Sequence, residues 1–97
     1  MTKALLELKK KIIPFAKVNK ISYVAVFGSF SRGEQTKKSD VDLMVRFSEP
    51  IDLFDFAGIK MDLEKKLSRE VDLVVEGSIK KNRLPYILSD LKILYEE

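Results

Sequence analysis

The chain contains no cysteine and no histidine. Without cysteine there is no disulfide and no thiolate metal site. Without histidine there is no Ser-His-Asp triad, no imidazole-bound zinc and no histidine acid–base step. Chemistry on this chain has to come from carboxylates, hydroxyls, amines, backbone groups or a borrowed metal ion. No apolar run approaches the roughly 18 residues that suggest a membrane span. The opening "MTKALLELKKK" has no continuous apolar stretch followed by a small-residue cleavage site, so no signal peptide is expected. These absences suit a cytoplasmic protein.

What is present is the balance of a soluble globular domain, 45% hydrophobic and 34% charged. A length of 97 residues suits one domain, 1–97, with apolar mass for one modest core. The net charge is +3. Basic residues are spread over Lys9 to Lys11, Lys37 and Lys38, Lys65 and Lys66, and Lys80 to Arg83. So dispersed a charge reads as solvated faces, and direct nucleic-acid binding is not expected from it.

Leu5, Leu8, Ile12 and Phe15 or Ala16 fall near helical spacing, which predicts a helix over 3–18 with Thr2 as its N-cap. Pro14 is expected to kink that helix or end it early. "ISYVAVF", 21–27, reads as a buried strand ended by Gly28. A short helical turn is expected at 29–34, then an exposed loop. "VDLMVRF", 41–47, reads as the second strand. Asp52 is placed to cap a helix reaching about Leu67, with Phe56, Ile59, Leu63 and Leu67 as its apolar stripe. "VDLVV", 71–75, reads as the third strand. Residues 79–90 are expected to be helical but interrupted near Pro85, and "LKILYEE" fits either a strand or a helix end. This order predicts an α/β fold, a small mixed sheet with helices packed on it.

The segment "FGSFSRGEQTKKSDVDLMV" places Asp40 and Asp42 at the start of the second strand. Residues two apart on a strand share a face, so both carboxylates project together while Val41 and Leu43 turn to the core. Asp72 stands in the same setting in the third strand. If those strands are neighbours, three carboxylates meet on one side of the sheet. Clustered carboxylates repel, which raises their pKa values, and a divalent cation relieves that conflict. Aspartate oxygens suit Mg²⁺, and paired ions about 3.5–4 Å apart can activate an attacking oxygen and stabilise a leaving one. Taken alone, Asp40-x-Asp42 reads more readily as turn caps or lysine partners than as a metal pair. Gly28-Ser29 reads either as an ordinary strand-to-helix turn or as a place where backbone N–H groups and a hydroxyl hold phosphate oxygens. It is not a Walker A loop.

Gly28-Ser29, ten residues, then Asp40-x-Asp42 resembles the signature of the DNA polymerase β-like nucleotidyltransferase superfamily. "GSFSRGEQTKKSDVDLMV" and "LFDFAGIKMDLEKKLSREVDLVV" look like its minimal nucleotidyltransferase (MNT) branch. The motif support runs from about Val26 to Val75, and the two ends agree in length and coarse pattern. The resemblance implies transfer of a nucleoside monophosphate from a triphosphate to a hydroxyl, with release of pyrophosphate. It implies that Gly28 and Ser29 hold the triphosphate, that Asp40 and Asp42 bind two Mg²⁺ ions, and that Asp72 completes the catalytic metal site. Arg32 would touch phosphate or tie its loop to a carboxylate. Gly33 would permit the turn, and Ser39 would orient the loop or cap the backbone of Asp40 rather than bind metal. MNT proteins are often antitoxins encoded with an all-helical HEPN-family toxin, and some attach AMP from ATP to a toxin tyrosine. That implies ATP as donor and a HEPN toxin as partner. Two other readings stay open: an antitoxin that neutralises by contact alone, with Phe54, Tyr86 and Tyr95 as candidate contacts or as ordinary core and surface residues, and a nucleotidyltransferase acting on RNA or a small molecule such as an aminoglycoside.

Overall fold

The computed structural model describes residues 1–97. Its order is α1 (Lys3–Val18), β1 (Ile21–Phe27), α2 (Ser29–Arg32), β2 (Val41–Phe47), α3 (Leu53–Leu67), β3 (Val71–Val75), α4 (Leu84–Asp90) and β4 (Lys92–Glu96). The four strands form one sheet in the order β3-β2-β1-β4. β1 runs antiparallel to β2 and β4, while β2 and β3 are parallel and joined by α3 as the crossover. This is the expected mixed α/β fold, and the last segment resolves as an edge strand.

α1 and α3 cover one face of the sheet. Leu5, Leu8, Ile12, Phe15 and Ala16 of α1 and Leu63 and Leu67 of α3 pack on Val24, Val26, Val41, Leu43 and Val45. The other face is covered more sparingly, with Tyr23, Ala25, Phe27 and Met44 meeting Ile87 of α4. β1 is therefore buried on both sides, which is why it reads as a continuous apolar run. β2 alternates instead: Val41, Leu43 and Val45 enter the larger core, and Asp42 is left on the thinly covered face.

Caps set the helix ends. The Thr2 hydroxyl accepts from Leu5 N at 3.2 Å, and the Asp52 carboxylate accepts from Asp55 N at 2.7 Å. Two proline expectations need correcting: that Pro14 ends α1 early, and that Pro85 interrupts a helix over 79–90. α1 runs through Pro14 to Val18 without a break. The carbonyl that Pro14 leaves without a donor is that of Lys10, on the exposed face, while Phe15 and Ala16 beyond it are buried. The Asn19 amide then closes the end by donating to Phe15 O at 2.9 Å. Pro85 does not interrupt a helix over 79–90. It sits in the first turn of α4, where its missing N–H costs nothing, and 79–83 lie outside that helix. α2 is shorter than the expected 29–34, because Gly33 takes a left-handed conformation after Arg32.

Candidate active site

The strand register builds the site. Asp42 of β2 lies opposite Phe27 of β1 on one side and opposite Asp72 of β3 on the other. One row across three strands therefore reads Phe27, Asp42, Asp72. Gly28 follows Phe27 directly, so the Gly-Ser turn opens beside the paired carboxylates. Gly28 has φ 73° and ψ −152°. A methyl group placed on it would lie 2.1 Å from Asp42 Oδ2. The glycine is required twice over, by its backbone and by the carboxylate lying against its α-carbon.

Asp42 and Asp72 are half-buried, and Asp40, one residue before β2, is exposed. The Asp42 carboxyl is pushed above the usual carboxylate range, chiefly by burial and then by the charges of Asp72 and Asp40; Arg83 and Arg32 oppose this in part. The three sequence candidates are thus electrostatic neighbours. They do not converge closely enough for three acidic groups to hold one ion as they stand. Arg83 Nη2 donates to Asp72 Oδ2 and occupies that carboxylate.

Ser29 starts α2, a single turn, which offers local N–H donors rather than the dipole of a long helix. α2 is stitched to the end of the chain. Arg32 donates to Glu34 Oε1 at 2.7 Å and to Asp90 Oδ2 at 2.6 Å. The Ser31 hydroxyl donates to Asp90 O, and Lys92 Nζ donates to Ser31 O at 2.7 Å. Of the two roles expected for Arg32, the contacts in the structure are those of a tie to carboxylates. Ser39 orients its loop by accepting from Thr36 N at 2.8 Å.

Sequence reasoning missed Arg69 and Arg83. Arg69 Nη1 donates to Thr36 O at 2.8 Å and Ser39 O at 2.9 Å, and its guanidinium lies 4.9 Å from the centre of the Phe30 ring. It joins the loop that delivers Asp40 to the turn that carries Ser29. Arg83 was one member of a basic run that reads as a solvated face. It stands 11 residues from its partner Asp72, and only folding brings the two together.

A groove of about 1080 Å³ opens along the free side of β3, between the β2–α3 and β3–α4 loops. Phe47, Ile51, Leu53, Phe56, Val74 and Ile79 give it its apolar walls, and Arg83 stands both in its lining and on Asp72.

Residues 6–95 match the family described as "Nucleotidyltransferase domain". The chain belongs to the nucleotidyltransferase domain family. Two relatives share its sequence closely. A Methanocaldococcus jannaschii protein described as a candidate protein adenylyltransferase, MJ0435, is 40% identical over 75% of this chain and 78% of its own length. The protein adenylyltransferase MntA of Thermococcus cleftensis is 38% identical over 70% of this chain and 69% of its own. Among solved structures, a toxin–antitoxin crystallised with AMP-PNP superimposes with a TM-score of 0.79 at 27% identity, over 92% of this chain and 73% of that one. The MNT antitoxin complex with a tri-AMPylated Shewanella oneidensis HEPN toxin shares the fold, with a TM-score of 0.74 at 23% identity over 96% and 73%.

The donor set of this nucleotidyltransferase is all oxygen. Its central member, Asp42, has its proton affinity raised chiefly by burial and then by two neighbouring carboxylates, and a hard divalent cation beside it would offset both. The residues present therefore fit Mg²⁺.

Proposed function

We propose that this nucleotidyltransferase transfers AMP from ATP to a tyrosine hydroxyl of a HEPN-family toxin, and so acts as the antitoxin of a toxin–antitoxin pair. The observation that carries the reading is the row in which Gly28 lies against Asp42 and Asp42 faces Asp72. It gathers a phosphate-type turn and metal-type carboxylates at one sheet end. The adenylyltransferase relatives and the toxin–antitoxin neighbours support donor and partner. No helix is long and apolar enough to cross a membrane. The proposed reading is of one nucleotidyltransferase domain acting in the cytoplasm.

In this reading Gly28 lets the chain pass close to the triphosphate, and Ser29 adds a hydroxyl donor to the backbone N–H groups of the turn. Asp40, Asp42 and Asp72 are the residues that would hold Mg²⁺, which when bound would supply neutralisation of the phosphate charge. Asp72, half-exposed and paired with Arg83 of the groove lining, would orient an incoming hydroxyl. Arg32 keeps the Ser29 turn in place through Asp90 and Glu34. Phosphoryl-transfer chemistry is mostly positioning and charge stabilisation, so a site without histidine can perform it.

Intact-mass analysis tests the reading. The protein is incubated with Mg²⁺, ATP and its cognate HEPN toxin. An AMP mass on the toxin, lost with the Asp40→Asn/Asp42→Asn double variant, is the expected result. A stable complex with no added mass would instead favour neutralisation by contact, for which the exposed Phe54 and Tyr86 are available; Tyr95 packs against the core.

A further inference from the structure

Arg83 is the last residue before α4. Its carbonyl accepts from Tyr86 N at 3.2 Å and Ile87 N at 3.3 Å, which fixes the backbone at the start of that helix. The side chain reaches back across the sheet end. Its guanidinium lies 5.9 Å from the centre of the Phe27 ring, beside the residue that precedes Gly28, and it pairs with Asp72. Asp72 is the register partner of Asp42. A fixed positive charge therefore sits at the point where two facing carboxylates would otherwise repel each other. The same contact turns Asp72 toward an arginine, and no three acidic groups close on a common point.

We infer that Arg83 is a built-in counter-cation. It holds Asp72 in the nucleotide-free protein, and a divalent ion is shared by Asp42 and Asp72 only after the guanidinium has left. This rests on the reading of those two aspartates as cation ligands. Three features make the exchange feasible. The arginine side chain has many rotamers, so the guanidinium can give up Asp72 by moving. The two side chains are 47% and 39% exposed, so the pair is screened by water and weakly held. The groove that Arg83 already lines gives the released side chain a solvated place to occupy without unpacking the core. The exchange also has a consequence for order. Cation loading removes one tie between the β3–α4 loop and the sheet, and that loop is a wall of the groove.

Mn²⁺ alone, without nucleotide, is the probe. Its dissociation constant is measured by the electron-spin signal of the free ion, and thermal melts are run with and without it. Removing a screened ion pair of this kind should tighten Mn²⁺ binding by Arg83→Gln about two- to fivefold relative to the unaltered protein. The same variant should melt lower in chelator, because Asp42 and Asp72 are then left facing each other, yet gain more from Mn²⁺. A loss of packing alone would lower both melts and would not tighten binding. Arg83→Lys keeps the charge and should bind Mn²⁺ close to the unaltered protein. Equal, measurable affinities in the unaltered protein and Arg83→Gln would overturn the role given to Arg83 while leaving the cation site standing. Absence of binding by both would overturn the cation reading of Asp42 and Asp72, and the role of Arg83 with it.

Discussion

Gly28→Ala is the most demanding single test of the site. The new methyl carbon would lie 2.1 Å from Asp42 Oδ2. Carbon and oxygen tolerate an approach of about 3.3 Å, so the carboxylate would have to retreat by about 1.2 Å. The backbone at φ 73° and ψ −152° adds a second cost, since that region is essentially closed to residues with a β-carbon. Strain of this kind costs about 1–3 kcal/mol. At about 4–8 °C per kcal/mol for a domain of this size, the melting temperature should fall by roughly 5–20 °C. Activity should suffer more than stability, because displacing a catalytic group by about 1 Å is worth about 100-fold in rate. The assay is AMP transfer followed by mass at a temperature where the variant is still folded. Gly58→Ala is the matched control. Gly58 sits in α3 with nothing within 4 Å of the added carbon, so alanine there should stabilise by about 0.5–1 kcal/mol and leave transfer unchanged. A Gly28→Ala protein with unaltered melting and turnover would refute the claim that the turn and Asp42 are packed against each other.

Other outcomes follow from the same geometry. The raised pKa of Asp42 means that its proton is held more tightly in the folded than in the unfolded chain, so its ionisation costs stability as pH rises through the folded value. In chelator, Asp42→Asn should therefore melt higher than the unaltered protein at neutral pH, and the advantage should vanish below the ordinary carboxylate pKa of about 3.9; the same advantage at both pH values would contradict this. ATP binding should require Mg²⁺, because the carboxylates otherwise repel the phosphates; titration calorimetry showing equal affinity in excess chelator would count against the site. Leu43→Ala empties a fully buried position on β2, next to Asp42 in sequence and facing the larger core, and should cost about 2–5 kcal/mol by denaturant unfolding, enough to compromise a domain of this size.

The fold and the placement of the candidate aspartates could be read from the sequence for one physical reason: they depend on short-range periodicity. Alternation puts Asp42 on the face opposite Val41 and Leu43, and the same offset in "VDLVV" puts Asp72 on the same face of the parallel neighbour. Given α3 as a crossover of 15 residues, parallel pairing of β2 and β3 follows, and the Asp42–Asp72 row with it. Caps were legible for the same reason, since Thr2 and Asp52 act within three residues of themselves. The prolines were misjudged because their cost depends on which face they occupy. Pro14 points its lost hydrogen bond at water, and Pro85 falls where no donor is needed.

The arginines were hidden for a different reason. Arg32 meets Asp90 across 58 residues, Arg69 meets the 36–39 loop across 30 or more, and Arg83 meets Asp72 across a loop and a turn. A long flexible cation carries no periodic signal, and in a chain with 18 Lys and Arg against 15 Asp and Glu each one has many candidate partners. The selection is made by what the sheet has already fixed. Once the apolar pattern sets β1, β2 and β3 side by side, the row Phe27, Asp42, Asp72 concentrates negative charge at one sheet end. The arginines within reach of that end are then ordered around it: Arg83 on the carboxylate row itself, Arg32 on the turn that follows Phe27. The acidic row comes first in the physical sequence of causes, and the basic residues that tune it are consequences of the fold.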